Sequence, residues 1–158
     1  MRYIASRSRV TPPERTRNVV AGVAMAAVGQ HELVLEPSGL MCWTLRGDVS
    51  AREVETILVW DRIVAAQYGR VLTLMDVSAL GEVPSETRKT VRRAQELPMR
   101  GIGVFGASFQ ARIRATMLLT AAELVAEEQE NNPLVFFSCE REARSWLMAR
   151  LALLECAA

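Results

Sequence analysis

Short apolar runs alternate along this chain with longer stretches in which apolar residues recur at helical spacing. Residues 33–36 and 40–45 are two such runs, and Pro37-Ser38-Gly39 between them is typical of a β-hairpin turn. Three later runs are nearly continuous in apolar character, at residues 71–75, 101–105 and 134–137. Continuous runs of this length are typical of parallel strands that are buried on both faces.

Four helices are predicted between and after these strands. The first begins at Ser50, which with Glu53 forms a capping box, and ends at Gly69, a typical left-handed stop. The second has Ser85 as its N-cap and stops at Pro98. The third and fourth are expected at residues 109–129 and about 143–154. The order β-β-α-β-α-β-α-β-α predicts an α/β fold, with helices on a mixed, mostly parallel sheet of four or five strands.

The first thirty residues differ from the rest of the chain. Residues 1–18 hold five arginines against one acid and include the stiff pair Pro12-Pro13, which indicates a flexible basic leader. Residues 19–28 are apolar, but a bilayer span needs about 20 such residues, so no membrane segment is predicted. We therefore expect a leader at 1–30 and one domain at 31–158. A secretory signal and a natural start at Met25 are the alternatives for the leader.

Composition restricts the function classes. The chain has 158 residues, half of them apolar, and a formal charge of +1, so it lacks the chain-wide positive field typical of nucleic-acid binding. Its cysteines, Cys42, Cys139 and Cys156, are odd in number and widely spaced, which favours a reducing cytoplasm over a disulfide framework. A single histidine, His31, argues against a His-rich metal site. Lys89 is the only lysine among 19 basic residues, a bias typical of GC-rich bacterial genomes.

Two apparent catalytic motifs lie in the wrong context. Gly101, Gly103 and Gly106 match a G-x-G-x-x-G string, but a dinucleotide site needs these glycines in the turn after a strand. Here they fall within the predicted strand, so we interpret them as small residues that let a helix approach closely. Ser108 follows a strand as an activated serine does, yet Gln110 replaces the second glycine of that motif, and an N-cap role fits it better.

No catalytic residue, cofactor or metal is predicted. The weaker enzyme hypothesis depends on Ser108 or on Cys139, which follows a strand near a predicted helix start. Four glutamates crowd one end of the third predicted helix, at positions 123, 127, 128 and 130. A solvated helix face explains them better than a carboxylate metal site, with metal or partner binding as the open alternative.

The strand at 71–75 ends at Asp76, and Ser85 follows at the head of a helix, an arrangement that resembles the central segment of STAS domains, the fold of bacterial anti-sigma-factor antagonists. The resemblance places Ser85 on the serine that a partner kinase phosphorylates in that family. Pro84 stands where the family has an acid, and Glu86 and Thr87 follow, so the family's phosphorylation motif is not reproduced.

A closer likeness covers about residues 32–154. Its segments are Pro84–Arg88, Gly103–Arg112, Asn132-Pro133, Phe136-Phe137 and Glu142–Leu147. Together they resemble a STAS-like bacterial branch that is described together with CRAL-TRIO lipid-transfer domains. This resemblance implies four or five strands with helices, and a role without catalysis.

Two functional hypotheses follow. The first is a regulatory module that binds a protein partner around Ser85, the residue open to phosphorylation, and the basic stripe Arg88, Lys89, Arg92 and Arg93. The second is a protein that binds a lipid or another small apolar ligand in a pocket near the Trp60 helix and the last strands. Its residues would be Trp60, Phe105, Phe109, Met117, Phe136 and Phe137. Ordinary core packing or a homodimer seam at Trp60 are the alternatives for this set.

Overall fold

The structure is a computed structural model that describes residues 16–20, 23–121 and 134–157. Within these ranges, seven strands form one sheet: β1 (Thr16–Val20), β2 (Val23–Val28), β3 (His31–Leu35), β4 (Leu40–Gly47), β5 (Val71–Leu80), β6 (Met99–Phe105) and β7 (Leu134–Phe136). The helices in these ranges are α1 (Ala51–Tyr68), α2 (Ser85–Val91), α3 (Phe109–Ala121) and α4 (Glu140–Cys156), with a 3₁₀ helix at Arg92–Glu96. The strands lie side by side in chain order.

The sheet confirms the α/β class but corrects its details. The strands from β1 to β4 pair antiparallel, and those from β4 to β7 pair parallel. The sheet is therefore not mostly parallel, and it exceeds the predicted four or five strands. Both additional strands come from residues 16–28, which the sequence analysis assigned to the leader.

The strand β2 was missed because its alternation is hidden in a run of uniformly apolar residues. Ala26 and Val28 are buried, whereas Met25, which directly precedes Ala26 and points to the other face, is 47% exposed. Val28 pairs with His31 across a two-residue loop that starts at Gly29, whose φ of +60° is typical of a tight hairpin. The expected boundary near residue 30 thus lies inside the sheet, and a chain starting at Met25 would lack β1. Residues 1–15 of the predicted leader lie outside the described residues.

Helices cover both faces of the sheet. Residues of α1, α2 and the 3₁₀ helix share one core with Trp43 of β4 and Val71 of β5. On the other face, α4 packs Ala143, Leu147 and Leu151 against three leucines, Leu40, Leu72 and Leu74. Within the described ranges, no helix combines the length and the apolar character that crossing a bilayer requires.

The glycines of β6 form the contact surface for α4. A Cβ atom added at Gly103 would lie 3.1 Å from Leu147 Cδ1, and one added at Gly101 would lie 3.1 Å from Leu147 Cδ2. Gly106 follows the strand in a turn, with φ of +74°. The interpretation as a close helix contact is therefore confirmed for Gly101 and Gly103, whereas the placement of Gly106 within the strand was wrong, because β6 ends at Phe105.

The local signals at α1 are also confirmed. The Ser50 hydroxyl accepts a hydrogen bond from the Glu53 amide, the Glu53 carboxylate accepts one from the Ser50 amide, and Gly69 ends the helix with φ of +70°. The prediction for α2 was wrong in two details. Pro84, not Ser85, is the N-cap residue, and α2 ends at Val91 and continues as the 3₁₀ helix. The predicted third helix is described only to Ala121, so its four glutamates lie outside the described residues.

Candidate functional site: a cavity beneath the first helix

A cavity of about 80 Å³ lies between α1, the 3₁₀ helix region and the sheet, and we call it the α1 cavity. Its described lining is Trp43, Leu45, Val49, Val54, Ile57, Leu58, Asp61, Thr73, Met75, Val91, Ala94, Met99 and Ile102. Since about 10–15 Å³ of such space accepts one water molecule, the α1 cavity has room for several waters or for a small organic molecule. Most of its wall is aliphatic and cannot form hydrogen bonds.

Asp61 supplies a carboxyl group to this apolar wall. It lies on α1 in line with the buried residues Val54, Leu58 and Val64, and only 5% of it is exposed. Among the described residues, no hydrogen bond or ion pair reaches its carboxyl group. Burial raises the pKa of Asp61 to about 7, an effect that the nearby charge of Arg62 only partly opposes.

Two further polar groups come from the sheet. Thr73 of β5 pairs with Met41 of β4, and Trp43 lies two residues beyond Met41, so Thr73 and Trp43 are diagonal neighbours on the face toward α1. Both residues are almost fully buried. The Thr73 hydroxyl, the Trp43 indole N–H and, outside the cavity lining, the Trp60 indole N–H have no hydrogen-bond partner among the described residues. Each of these polar atoms is itself shielded from contact with a water-sized molecule, so Thr73 and Trp43 contact the cavity through their carbon atoms. A buried polar group without a partner typically costs about 1–3 kcal/mol of folding free energy.

The chemistry of this wall resembles that of a binding pocket. A mostly apolar wall with a few polar groups is typical of small-molecule sites. The described lining residues include one carboxyl group, that of Asp61, and no histidine, cysteine or lysine. In the part of the chain that the structure describes, no three His, Cys, Asp or Glu side chains are grouped to bind a metal ion.

The six residues predicted to form an apolar pocket do not come together. Trp60 lies on α1 but is buried outside the described cavity lining, so it forms no exposed dimer seam either. Phe105 and Phe137 pack on the α4 side, whereas Phe136 packs with the core on the α1 side. Phe109 and Met117 of α3 are exposed. None of the six predicted residues lines the α1 cavity, although one of them, Trp60, lies on the helix α1 that borders it.

The residues predicted to form a basic stripe lie on α2 and the 3₁₀ helix, and several are engaged. The Arg88 guanidinium donates to the Val83 carbonyl oxygen at 3.3 Å. Lys89 forms an ion pair with Glu86 at 3.2 Å. Arg92 and Arg93 lie on the 3₁₀ helix, and Arg93 pairs with Glu55 at 3.3 Å. Ser85 is exposed. The ion pairs of Lys89 and Arg93 offset part of the positive charge of the stripe. Partner binding at Ser85 stays a prediction.

His31 has a structural position. It is fully buried in β3, its Nδ1 accepts a hydrogen bond from the Arg46 amide, and its Nε2 lies 3.6 Å from Glu53 Oε2. Burial alone would raise the pKa of Glu53, but hydrogen bonds from Ser50 and the interaction with His31 hold it below its ordinary value. His31 therefore connects the sheet to the start of α1 rather than serving as an accessible base.

The candidate nucleophiles Ser108 and Cys139 lie at helix starts. The Ser108 hydroxyl accepts a hydrogen bond from the Ala111 amide, which confirms its N-cap role. Cys139 is the half-buried N-cap residue of α4, without a side-chain cap bond. Neither residue lines the α1 cavity.

Cys42 belongs to a polar network that connects β4 to α4. Its thiol donates to Glu36 Oε1 at 3.4 Å, and the Arg144 guanidinium donates to the same oxygen at 2.6 Å. Burial, followed by the negative charge of Glu36, raises the pKa of Cys42 to about 12, against the opposing charge of Arg144. This thiol is therefore almost never ionised near neutral pH.

We expect the three free thiols to react at very different rates. Cys156 is exposed. Cys42 has a pKa of about 12, so its thiolate fraction is roughly a thousandfold lower than that of a thiol with the ordinary pKa of 9.0. Timed alkylation of the native protein at pH 7.5, followed by peptide mass spectrometry, should show Cys156 modified first and Cys42 last. A Cys156→Ser variant should lose the fast phase. Equal labelling of Cys42 and Cys156 in the native protein contradicts the network.

Comparison with protein-family models, with curated proteins and with solved structures finds no match for this chain. The likeness to STAS-like domains therefore stays a prediction from sequence. Asp61, Thr73 and Trp43 were missed as site residues. One signal for Asp61 was available, because it is an acid on the apolar stripe of a predicted helix, where an aliphatic residue is expected. Thr73 and Trp43 carried no comparable signal.

Proposed function

We propose that the protein binds a small, mostly apolar molecule in the α1 cavity and does not transform it. The observation that carries this proposal is a cavity of about 80 Å³ with an aliphatic wall, to which Asp61 adds a buried carboxyl group. The sequence hypothesis of a small apolar ligand supports the same function, with a different set of lining residues.

The energetics favour an occupied cavity. Replacing Asp61 by an aliphatic residue would remove the cost of burying a carboxyl group without a described partner. A ligand with apolar surface and a polar end would contact both the aliphatic residues and the Asp61 carboxyl group. Each Å² of apolar surface that binding removes from water contributes about 25 cal/mol to affinity.

Filling the α1 cavity should abolish binding without unfolding the protein. Ala94 is a buried lining residue, and Ala94→Leu adds three carbons to this space. We expect saturation-transfer NMR to detect 1-butanol on the wild-type protein and to lose that signal in the variant. Because filled cavities typically add about 0.5–2 kcal/mol to the free energy of unfolding, the variant should be at least as stable.

The matched control is Ala149→Leu, which makes the same change at an exposed position of α4. It should bind 1-butanol as the wild type does. The proposed function is contradicted if wild type and Ala94→Leu give equal saturation transfer, or if neither the wild type nor Ala149→Leu gives any.

A further inference from the structure

We infer that the ligand of the α1 cavity is a small primary amine, whose ammonium group pairs with the Asp61 carboxylate while its short alkyl chain occupies the aliphatic space. This inference rests on the proposed function and adds the chemical class of the ligand. It depends on three properties of the described lining: one carboxyl group that a ligand can reach, the absence of a cationic residue, and a size that admits a few carbon atoms.

The Asp61 carboxyl group is the polar feature that a ligand can contact. Asp61 is the only charged residue in the described lining, 5% of it is exposed, and no hydrogen bond or ion pair among the described residues involves its carboxyl group. The shielded polar atoms without a partner include the Trp43 nitrogen and the Thr73 hydroxyl oxygen, but neither carboxyl oxygen of Asp61. Since these two oxygens have no described partner either, they keep surface that a small molecule can contact.

The described residues form no ion pair with this carboxyl group. The lining contains no arginine, lysine or histidine, so no titratable residue from the sheet or the 3₁₀ helix faces Asp61 there. Arg62 follows on α1, but its side chain is exposed and its charge only partly opposes the effect of burial on Asp61. A cationic ligand would supply the missing charge, since an opposite charge close to a buried carboxyl group favours the ionised form.

An ammonium group suits this wall better than other polar ends do. Its charge makes a hydrogen bond to a carboxylate roughly twice as strong as a neutral hydrogen bond. A hydroxyl group lacks that charge, and a carboxylate end would repel an ionised Asp61. A guanidinium group has several N–H donors in a planar fork, whereas the described lining holds a single carboxyl group among aliphatic residues. Folding has already removed this carboxyl group from water, so binding adds only the desolvation of the ligand.

The aliphatic part of the wall determines the rest of the ligand. Leu45, Leu58 and Ile102 line the cavity, and their side chains favour contact with carbon atoms. Because an apolar cavity of about 150 Å³ accepts benzene, a space of about 80 Å³ has room for a chain of about three or four carbons. A short alkylamine therefore fits better than a polyamine or an amino acid, whose further charged groups would have no described partner in this wall.

Three probes with equal numbers of heavy atoms test this inference: 1-butylamine, 1-butanol and propanoate. NMR titration at pH 8 compares an ammonium, a hydroxyl and a carboxylate end on short alkyl chains. We expect the Kd of 1-butylamine to be at least about tenfold lower than the Kd of 1-butanol, because the charge-assisted hydrogen bond is the stronger one. Propanoate should bind most weakly of the three.

Asp61→Asn removes the charge and nearly keeps the shape of the side chain. It should raise the Kd of 1-butylamine at least about tenfold and change the Kd of 1-butanol by less than about threefold. Glu96→Gln makes the same acid-to-amide change at an exposed position outside the described lining, and it should alter neither constant.

The pH dependence of binding gives a second readout. Burial raises the pKa of Asp61 to about 7, so the empty protein holds this carboxyl group in its neutral form at pH 5. 1-Butylamine stays protonated at pH 5 and pH 8, because the ordinary pKa of an alkylammonium group is near that of lysine, about 10.4. Amine binding at pH 5 therefore requires release of the Asp61 proton, and the Kd should be at least about tenfold higher at pH 5 than at pH 8. The Kd of 1-butanol should change by less than about threefold.

Equal affinities for 1-butylamine and 1-butanol at pH 8, or tightest binding of propanoate, overturn the amine inference while the proposed function stands. An amine affinity that Asp61→Asn leaves unchanged does the same. If no probe binds the wild-type protein, both the inference and the proposed function fail.

Discussion

Replacing Asp61 with asparagine should make the protein more stable at pH 8 by about 4 kcal/mol and change its stability at pH 4 only slightly. The folded protein holds the pKa of this buried carboxyl group at about 7, against an ordinary value of 3.8. Each pKa unit corresponds to about 1.4 kcal/mol, and the group has no described partner that would offset the cost of its ionisation. Asparagine has nearly the same shape and carries no charge.

The direction of the pH dependence follows from proton linkage. Between about pH 4 and pH 7, the folded protein keeps the Asp61 proton and the unfolded chain releases it, so the folded state binds more protons. Stability contributed by Asp61 therefore falls as the pH rises through this window, and the full penalty is present above pH 7. The wild-type protein should lose stability in this window relative to the variant.

Urea unfolding at pH 4, 6 and 8 of wild type and Asp61→Asn measures this difference. Every other titrating group is common to both proteins, so the difference between the curves isolates Asp61. Glu96→Gln is the matched control, because it makes the same acid-to-amide change at an exposed position and should follow the wild type. Parallel curves for wild type and Asp61→Asn at all three pH values contradict the burial of Asp61.

Truncating Leu147 to alanine should cost about 2–5 kcal/mol of unfolding free energy. Leu147 is fully buried, and its two terminal carbons occupy the space left by Gly101 and Gly103. Removing them leaves a cavity between α4 and β6, which the surrounding strands cannot close completely. Chemical denaturation with circular dichroism measures the change.

A second substitution tests whether Leu147 occupies the space that Gly103 leaves open. Gly103→Val should cost about 1–3 kcal/mol, because its side chain would collide with Leu147. The double variant should lose less than the sum of the two single effects, since the valine partly refills the space. Leu153→Ala makes the same truncation at a 71% exposed position of α4 and should change stability by less than about 0.5 kcal/mol. Additive effects would show that α4 does not contact β6 at Gly103.

Strong local signals predicted the parallel half of the fold. The capping box at Ser50 and the left-handed residue Gly69 mark the two ends of α1, and both signals depend only on residues close by in the chain. The runs at β5 and β6 were recognised because strands buried on both faces need continuous apolar sequence. The interpretation of Gly101 and Gly103 succeeded for a related reason, since a strand context excludes a phosphate-binding turn.

The remaining features depend on contacts between residues far apart in sequence. In β2, alternation of buried and exposed positions cannot be seen when Met25, Ala26 and Val28 are all apolar. The α1 cavity was also not predictable as a site, because its lining residues come from strands and helices that are far apart in the sequence. Asp61 stood out only as an acid on an apolar helix face, and nothing local to Trp43 or Thr73 indicates that their polar atoms lack partners.

The indole N–H signals of the three tryptophans test the α1 cavity most directly. Trp43 lines it, Trp60 is buried outside its described lining, and Trp146 lies on α4 at the opposite face. In a ¹⁵N–¹H spectrum recorded during titration with 1-butanol, the Trp43 signal should move and saturate while the Trp146 signal stays in place. A Trp43 signal that does not move, or equal movement of all three signals, would contradict ligand binding beneath α1.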